Sequence, residues 1–189
     1  HPLEAARGDR AKGCAAADAI AHQQGASLMV ASVSALTSSG QAASYYESAG
    51  EYYADGGQSP SEWQGKGAEE LGLSGDVDRD QFRELLDGKV ADQQLGTTRD
   101  GKLEHRPGWD VTLSAPKSVS IMAEVAGDRR LIAAHGAAVK TALAHVESHM
   151  AATRIRDGGA VNREATGNLV VASIQHGTSR AQDPQLHTH

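Results

Sequence analysis

Apolar and polar positions along this 189-residue chain change period several times, and each change predicts an element. Met29-Val30-Ala31-Ser32-Val33 alternates with the period of a strand. Thr37-Ser38-Ser39 supplies helix-start residues, and the run to Tyr53 reads as a helix ended by Gly56 and Gly57. Residues 58–78 read as turn and short helix, with Trp63 as an anchor on the core. Asp78 to Leu86 reads as a short helix with Phe82, Leu85 and Leu86 on one face. Residues 87–105 are polar and contain glycine, so a loop or a mobile hairpin is expected. Trp109 to Leu113 reads as a strand, and Pro116 suits the first turn of a helix that follows Ser114. From 128 to 152 a long amphipathic helix is expected, with Leu131, Ile132, Val139, Leu143 and Val146 as its apolar stripe. Gly158-Gly159 marks a turn into two strands, of which Asn168 to His176, rich in Val and Ile, is the stronger. No internal repeat is evident.

Length fits one domain with a real core. Residues 1–28 differ from the rest: rich in Ala, Gln and Gly, they show little periodicity before Met29. They read as a leader, an upstream or a cloning-derived segment, with disorder expected, and residues 29–189 as the domain. One cysteine, Cys14, excludes an internal disulfide or a thiolate cluster and fits a reducing, cytoplasmic setting. No apolar run approaches the roughly 20 residues needed to span a bilayer, so no membrane insertion is expected. The formal charge of −6 argues against nonspecific nucleic-acid binding, although charge distribution counts for more than the sum, and the segment holding Arg154, Arg156 and Arg163 is locally basic.

The last residues carry the sharpest chemistry. On a strand, His187 and His189 share a face about 6–7 Å apart. His176 ends the preceding strand, and Asp183-Pro184 signals a turn between them. An antiparallel return would bring the three imidazoles together. Three neutral imidazoles without a thiolate suit a borderline divalent ion with positions left open for substrate oxygens. The bland alternative is an ordinary edge strand or a tag remnant.

All four tyrosines fall between Tyr45 and Tyr53 on the predicted helix. Tyr45 and Tyr52 lie on one face two turns apart, and Tyr46 and Tyr53 form a second row. Packing of one row into the core explains some of them. Chemically, a phenol with an ordinary pKa of about 10 becomes a covalent nucleophile only when a base or a cation activates it.

Several runs together resemble one family. They are Tyr45-Tyr46 with Tyr52-Tyr53, the run from Glu62 to Leu73, and His105 to Ser118 with its Asp110, Thr112 and Ser114-Ala115-Pro116-Lys117-Ser118. Thr166 to Val170, His176 to Arg180 and Asp183 to His189 follow in order. The chain resembles the MobF-type (TrwC/TraI-like) conjugative DNA relaxases from about Met29 to its last residue. The resemblance implies an α+β fold, the HUH endonuclease palm, with an antiparallel sheet and flanking helices. It implies Tyr45 as principal nucleophile and Tyr52 as the second, with Tyr46 and Tyr53 as additional tyrosines. It implies His176, His187 and His189 as the metal ligands and Asp110 as the carboxylate that orients a ligating histidine or assists deprotonation of the tyrosine. The ion would be divalent, Mg or Mn first, with Zn, Ni or Co as substitutes.

The function so implied is nicking and rejoining of one DNA strand at a plasmid transfer origin through a 5′-phosphotyrosyl intermediate. Implied partners are single-stranded DNA, with or without a hairpin, and relaxosome accessory and coupling proteins. A rolling-circle replication initiator or HUH transposase shares the chemistry. A fragment that binds single-stranded DNA or a hairpin without cleaving, and a metal-stabilised interaction domain, are the readings from other classes. Residues 1–28 have no counterpart in the family, whose members continue past the position of His189. A strand ending on its ligand is expected to be poorly anchored. Lys117 and Arg180 could meet phosphates or be ordinary surface residues. His135, His145 and His149 read as partly exposed helix residues.

Overall fold

A computed structural model describes residues 29–40, 60–157 and 160–189. In chain order these form β1 (Val30–Ala35), β2 (Ser61–Gln64), α1 (Lys66–Glu70) and α2 (Arg79–Leu86). Four short strands follow: β3 (Lys89–Val90), β4 (Gln93–Gln94), β5 (Thr97–Arg99) and β6 (Lys102–Glu104). Then come β7 (Trp109–Ser114), α3 (Lys117–Glu124), α4 (Arg129–Met150), β8 (Ala152–Asp157), β9 (Ala160–Ala165), β10 (Val171–Thr178) and β11 (Pro184–Thr188). The fold is α+β. Ser39 and Gly40 begin the helix expected there, and the tyrosines it would carry lie outside the described residues, as does the segment 1–28.

Five strands form one sheet in the order β1-β7-β11-β10-β2, and every neighbouring pair is antiparallel. Strand alternation gives the sheet two unlike faces. On β11, Leu186 and Thr188 point to one face, where both are buried. Helices α3 and α4 cover that face. Ser120 Oγ of α3 accepts from the Leu186 amide at 3.0 Å, and His135 of α4 meets Thr188. His187 and His189 therefore point to the face away from the helices.

Local chemistry explains the other elements. Asp78 caps α2 by accepting from the amides of Asp80 and Gln81. Phe82 and Leu86 face inward as expected; Leu86 packs with Phe82 and Leu36, and the Phe82 ring meets Trp63 edge-on at 6.4 Å. Trp63 is buried, but on strand β2 rather than in a turn. Gly65 has φ +93°, and a Cβ there would collide with the Leu169 backbone oxygen, so the β2–α1 link needs glycine.

Residues 87–105 form two small hairpins, β3–β4 and β5–β6, the second of the two alternatives expected there; strands of two or three polar residues leave no alternation to read. The two strands expected after Gly158-Gly159 are β9 and β10, but the long helix ends at Met150 and a further strand, β8, not expected from the sequence, comes before them. Strands β8 and β9 form a ribbon of their own, with Arg154 directly opposite Arg163. No helix among the described residues is long and apolar enough to cross a membrane.

Candidate metal centre

The site begins with β11, the middle strand of the sheet. His176 on β10 is the direct cross-strand partner of His187. His189 exchanges two backbone hydrogen bonds of 2.9 Å with Ile174. On the other side, β7 pairs with His187 and Thr188 through Ser114 and Leu113. The strand end carrying the histidines is thus held from both sides, contrary to the expectation of poor anchoring. A strand read alone gives no sign of its place in a sheet.

The three rings cluster. Their centroids lie 5.2 Å apart for His176–His187, 5.6 Å for His176–His189 and 5.1 Å for His187–His189. Metal–nitrogen bonds of about 2.0–2.1 Å put the centroids of three ligating imidazoles roughly 4.5–5.3 Å apart. Two of the three separations fall inside that range and only His176–His189 is slightly wider, and among the described residues no three or more His, Cys, Asp or Glu side chains stand drawn together at ligating spacing. Small ring rotations close that gap, so the donor set fits a divalent ion.

Hydrogen bonds orient two of the rings. His187 Nδ1 lies 2.8 Å from the Gln185 carbonyl, which fixes the proton on Nδ1 and turns the Nε2 lone pair outward. His189 Nδ1 lies 2.9 Å from Asp110 Oδ1, with Thr112 Oγ1 at 3.3 Å. A carboxylate behind an imidazole fixes its tautomer and raises its basicity as a ligand. Asp110 and Thr112 alternate on β7, so both reach the histidine face.

Charge favours the neutral, ligating form. Burial pushes the His176 imidazole down to about 4, with His187 and His189 adding to the effect. Burial also lowers His187, and the nearby His189 adds a smaller push in the same direction. Neutral imidazoles keep the lone pair that an ion needs.

Comparison with known proteins gives this geometry a family. The TrwC relaxase family model matches residues 39–189. The chain is 50% identical over 159 residues to the multifunctional conjugation protein TraI of Escherichia coli, covering 84% of this chain and 9% of that protein. A second TraI, from strain K12, is 48% identical over the same length and coverage. The chain belongs to the TrwC relaxase family.

Solved TrwC relaxases agree in fold. A metal-bound structure with OriT DNA superposes with TM-score 0.71 at 48% identity, covering 86% of this chain and 55% of that one. A copper-bound structure gives 0.71 at 49%, covering 86% and 56%. A complex with a 27-mer DNA comprising the recognition hairpin and the cleavage site gives 0.67 at 45%, covering 86% and 54%. The chain thus spans about half of the solved relaxase chains and about a tenth of the curated relatives.

Placed in this relaxase fold, the other candidates separate. Lys117 Nζ donates to the Pro184 carbonyl at 2.9 Å, tying α3 to the start of β11. Arg180 is exposed in the β10–β11 turn. Tyr45, Tyr46, Tyr52 and Tyr53 lie outside the described residues. His145 and His149 stack on each other at 4.3 Å on the exposed face of α4. His135 departs from expectation: it is 4% exposed, with Nε2 3.0 Å from Thr188 Oγ1. Its spacing from Ile132, Val139 and Val146 sets it on the apolar stripe, the signal that a reading by residue type passed over. Glu147 was also missed. It is buried on α4, and its Oε1 accepts from the amides of Lys66 and Leu169 at 2.8 and 2.9 Å.

A basic cavity of about 700 Å³ lies between the β5–β6 hairpin and β8, with Arg99, His105, Arg106 and Arg154 in its wall. Arg106 also stacks over the Trp109 ring at 5.2 Å.

Proposed function

We propose that this chain carries the nicking face of a conjugative relaxase, which cuts and rejoins one DNA strand at a plasmid transfer origin. The observation that carries the reading is the convergence of His176, His187 and His189 on one sheet face, with the Asp110 carboxylate 2.9 Å behind His189. His176, His187 and His189 would hold a divalent cation, Mg or Mn as the working ion, with Zn, Ni or Co able to replace it. Such a cation withdraws charge from the nonbridging oxygens of a phosphate and eases attack on phosphorus.

The protein's own residues do the rest. Tyr45 attacks the scissile phosphorus through its phenolic oxygen. A tyrosyl phosphodiester forms, the bond to the 3′ oxygen breaks, and the proton lost by the phenol is balanced by one gained on that oxygen. The DNA keeps a free 3′-hydroxyl, and its 5′ phosphate stays on the enzyme. Reversal reseals the strand, and attack by Tyr52 allows a second transfer; Tyr46 and Tyr53 are the reserve positions. Asp110 holds the His189 ring in the ligating orientation.

Arg154, Arg163, Arg99 and Arg106 would meet backbone phosphates, as would Arg180. Two arginines directly opposite each other on an exposed ribbon repel unless a polyanion lies across them. That local field lets a chain of net charge −6 hold DNA. Accessory and coupling proteins in the cytoplasm complete the reading as partners.

The test is covalent capture of an oligonucleotide bearing the nick site, with Mn²⁺ and with chelator. Tyr45→Phe abolishes the adduct and chelator suppresses it. An undiminished adduct in Tyr45→Phe moves the nucleophile elsewhere. Binding without any adduct in the unaltered chain makes it a non-cleaving DNA module.

A further inference from the structure

Thr188 lies between the two histidines of β11 and points the opposite way, into the layer between sheet and helices. It is 4% exposed, and its hydroxyl meets His135 Nε2 at 3.0 Å. Nδ1 of His135 is buried with no hydrogen-bond partner among the described residues. The tautomer that avoids a stranded donor carries its proton on Nε2 and donates it to Thr188.

His135 occupies a position that an aliphatic residue would fill at less cost. It belongs to the same stripe as Val139, which is 2% exposed. A buried ring nitrogen without a partner is unfavourable, so the group needs a compensating role. Its one described polar contact is with the residue flanked by His187 and His189. Any roll of β11 about its own axis moves Thr188 one way and the two imidazoles the other. A hydrogen bond from a helix of 22 residues opposes that roll. Nearer the start of the strand, Ser120 holds the Leu186 amide from α3. The strand is therefore clamped from the helix side at both ends of its ligand-bearing stretch.

We propose that His135 is a positioning residue for the candidate metal centre, acting through Thr188 to set the angle at which His187 and His189 face His176. The inference rests on the reading of those three histidines as ligands. It predicts that metal affinity and ligand-field geometry depend on a residue on the far side of the sheet from the ion.

Co²⁺ titration of the whole chain, followed by visible absorption and calorimetry, tests it. His135→Leu and Thr188→Val each weaken Co²⁺ binding by about 10- to 100-fold, the range seen when an outer support of a ligand is removed. Each also shifts the visible bands. The double variant is no weaker than either single, because both remove the same bond. Thr188→Ser restores affinity and spectrum. Val139→Ala, on the same helix stripe without contact to Thr188, lowers the melting temperature and leaves both unchanged. Wild-type affinity and spectrum in His135→Leu, or additive losses in the double variant, overturn the proposal. If His135→Leu does not fold, the Thr188→Val and Thr188→Ser pair decides alone. Absence of Co²⁺ binding in the unaltered chain, or its survival in His187→Ala, defeats the ligand assignment instead.

Discussion

Asp110 and His189 meet diagonally across β7 and β11, carboxylate oxygen to ring Nδ1 at 2.9 Å. Their contact joins an early strand to the last residue of the histidine set, and removing the carboxylate frees the ring to turn. Asp110→Ala should weaken Mn²⁺ binding by about 10- to 100-fold. Asp110→Asn, which keeps an acceptor oxygen but no charge, should fall between. Calorimetric titration measures both, and equal affinity in all three forms would show that His189 needs no such support.

Acid should destabilise the metal-free chain earlier than carboxylate titration alone would. His135, His176 and His187 are all lowered from 6.5, with His176 reaching about 4. Between those values the unfolded chain binds more protons than the folded one, so stability falls as pH falls. It is fully present above about pH 6.5. Urea midpoints at pH 7, 6 and 5 should decline, and His176→Gln should flatten the decline. A midpoint that stays constant from pH 7 to pH 5 contradicts the burial of these rings.

Glu147 tests a purely architectural role. Its Oε1 accepts from two backbone amides at the start of α1 and before β10. Glu147→Ala strands both donors and should cost about 2–4 kcal/mol of unfolding free energy. Glu147→Gln keeps an acceptor and should cost about 1 kcal/mol. Chemical denaturation checks the pair, and a loss of the same size in both would point to charge rather than to acceptor geometry.

Arg154 and Arg163 should separate binding from stability. Arg163→Glu replaces a repulsive cross-strand pair with an attractive one and should stabilise the free chain by about 0.2–1 kcal/mol. The same change should weaken binding of an origin hairpin. It should also reduce the slope of log affinity against log salt by about one for each phosphate that the ribbon no longer neutralises. Unchanged DNA affinity and salt slope would remove the ribbon from the DNA surface.

The sequence showed most clearly whatever repeats locally. Val30 to Ala35, Trp109 to Ser114 and the stripe on Arg129–Met150 follow from period alone. The His176–His187–His189 cluster followed from parity and one turn signal. Other features depend on residues far apart in the chain. The order β1-β7-β11-β10-β2 is set by pairings that no window of sequence contains. His135 reads as partly exposed because of its type, although its spacing already sets it on the apolar stripe; its partner Thr188, more than 50 positions on, lies beyond any local reading. Glu147 is not singled out by the sequence at all, because its partners Lys66 and Leu169 lie outside its own helix. Asp110 is marked by the family resemblance alone, because its partner His189 lies far along the chain and the residues around it point rather to a strand residue capping the next segment.

The central place of β11 also constrains how the molecule assembles. With Pro184–Thr188 absent, the remaining strands make two disconnected pairs, β1 with β7 and β10 with β2. That one segment joins the halves, and its hairpin with β10 is what places two imidazoles beside the third. Pairing of β11 with β10 closes a short hairpin, whereas its pairing with β7 joins residues as distant as Ser114 and His187 and carries the larger loop-closure cost. The three imidazoles thus come together within one local hairpin, whereas Asp110 reaches His189 only once β7 has docked, so the carboxylate behind that ring depends on the long-range pairing.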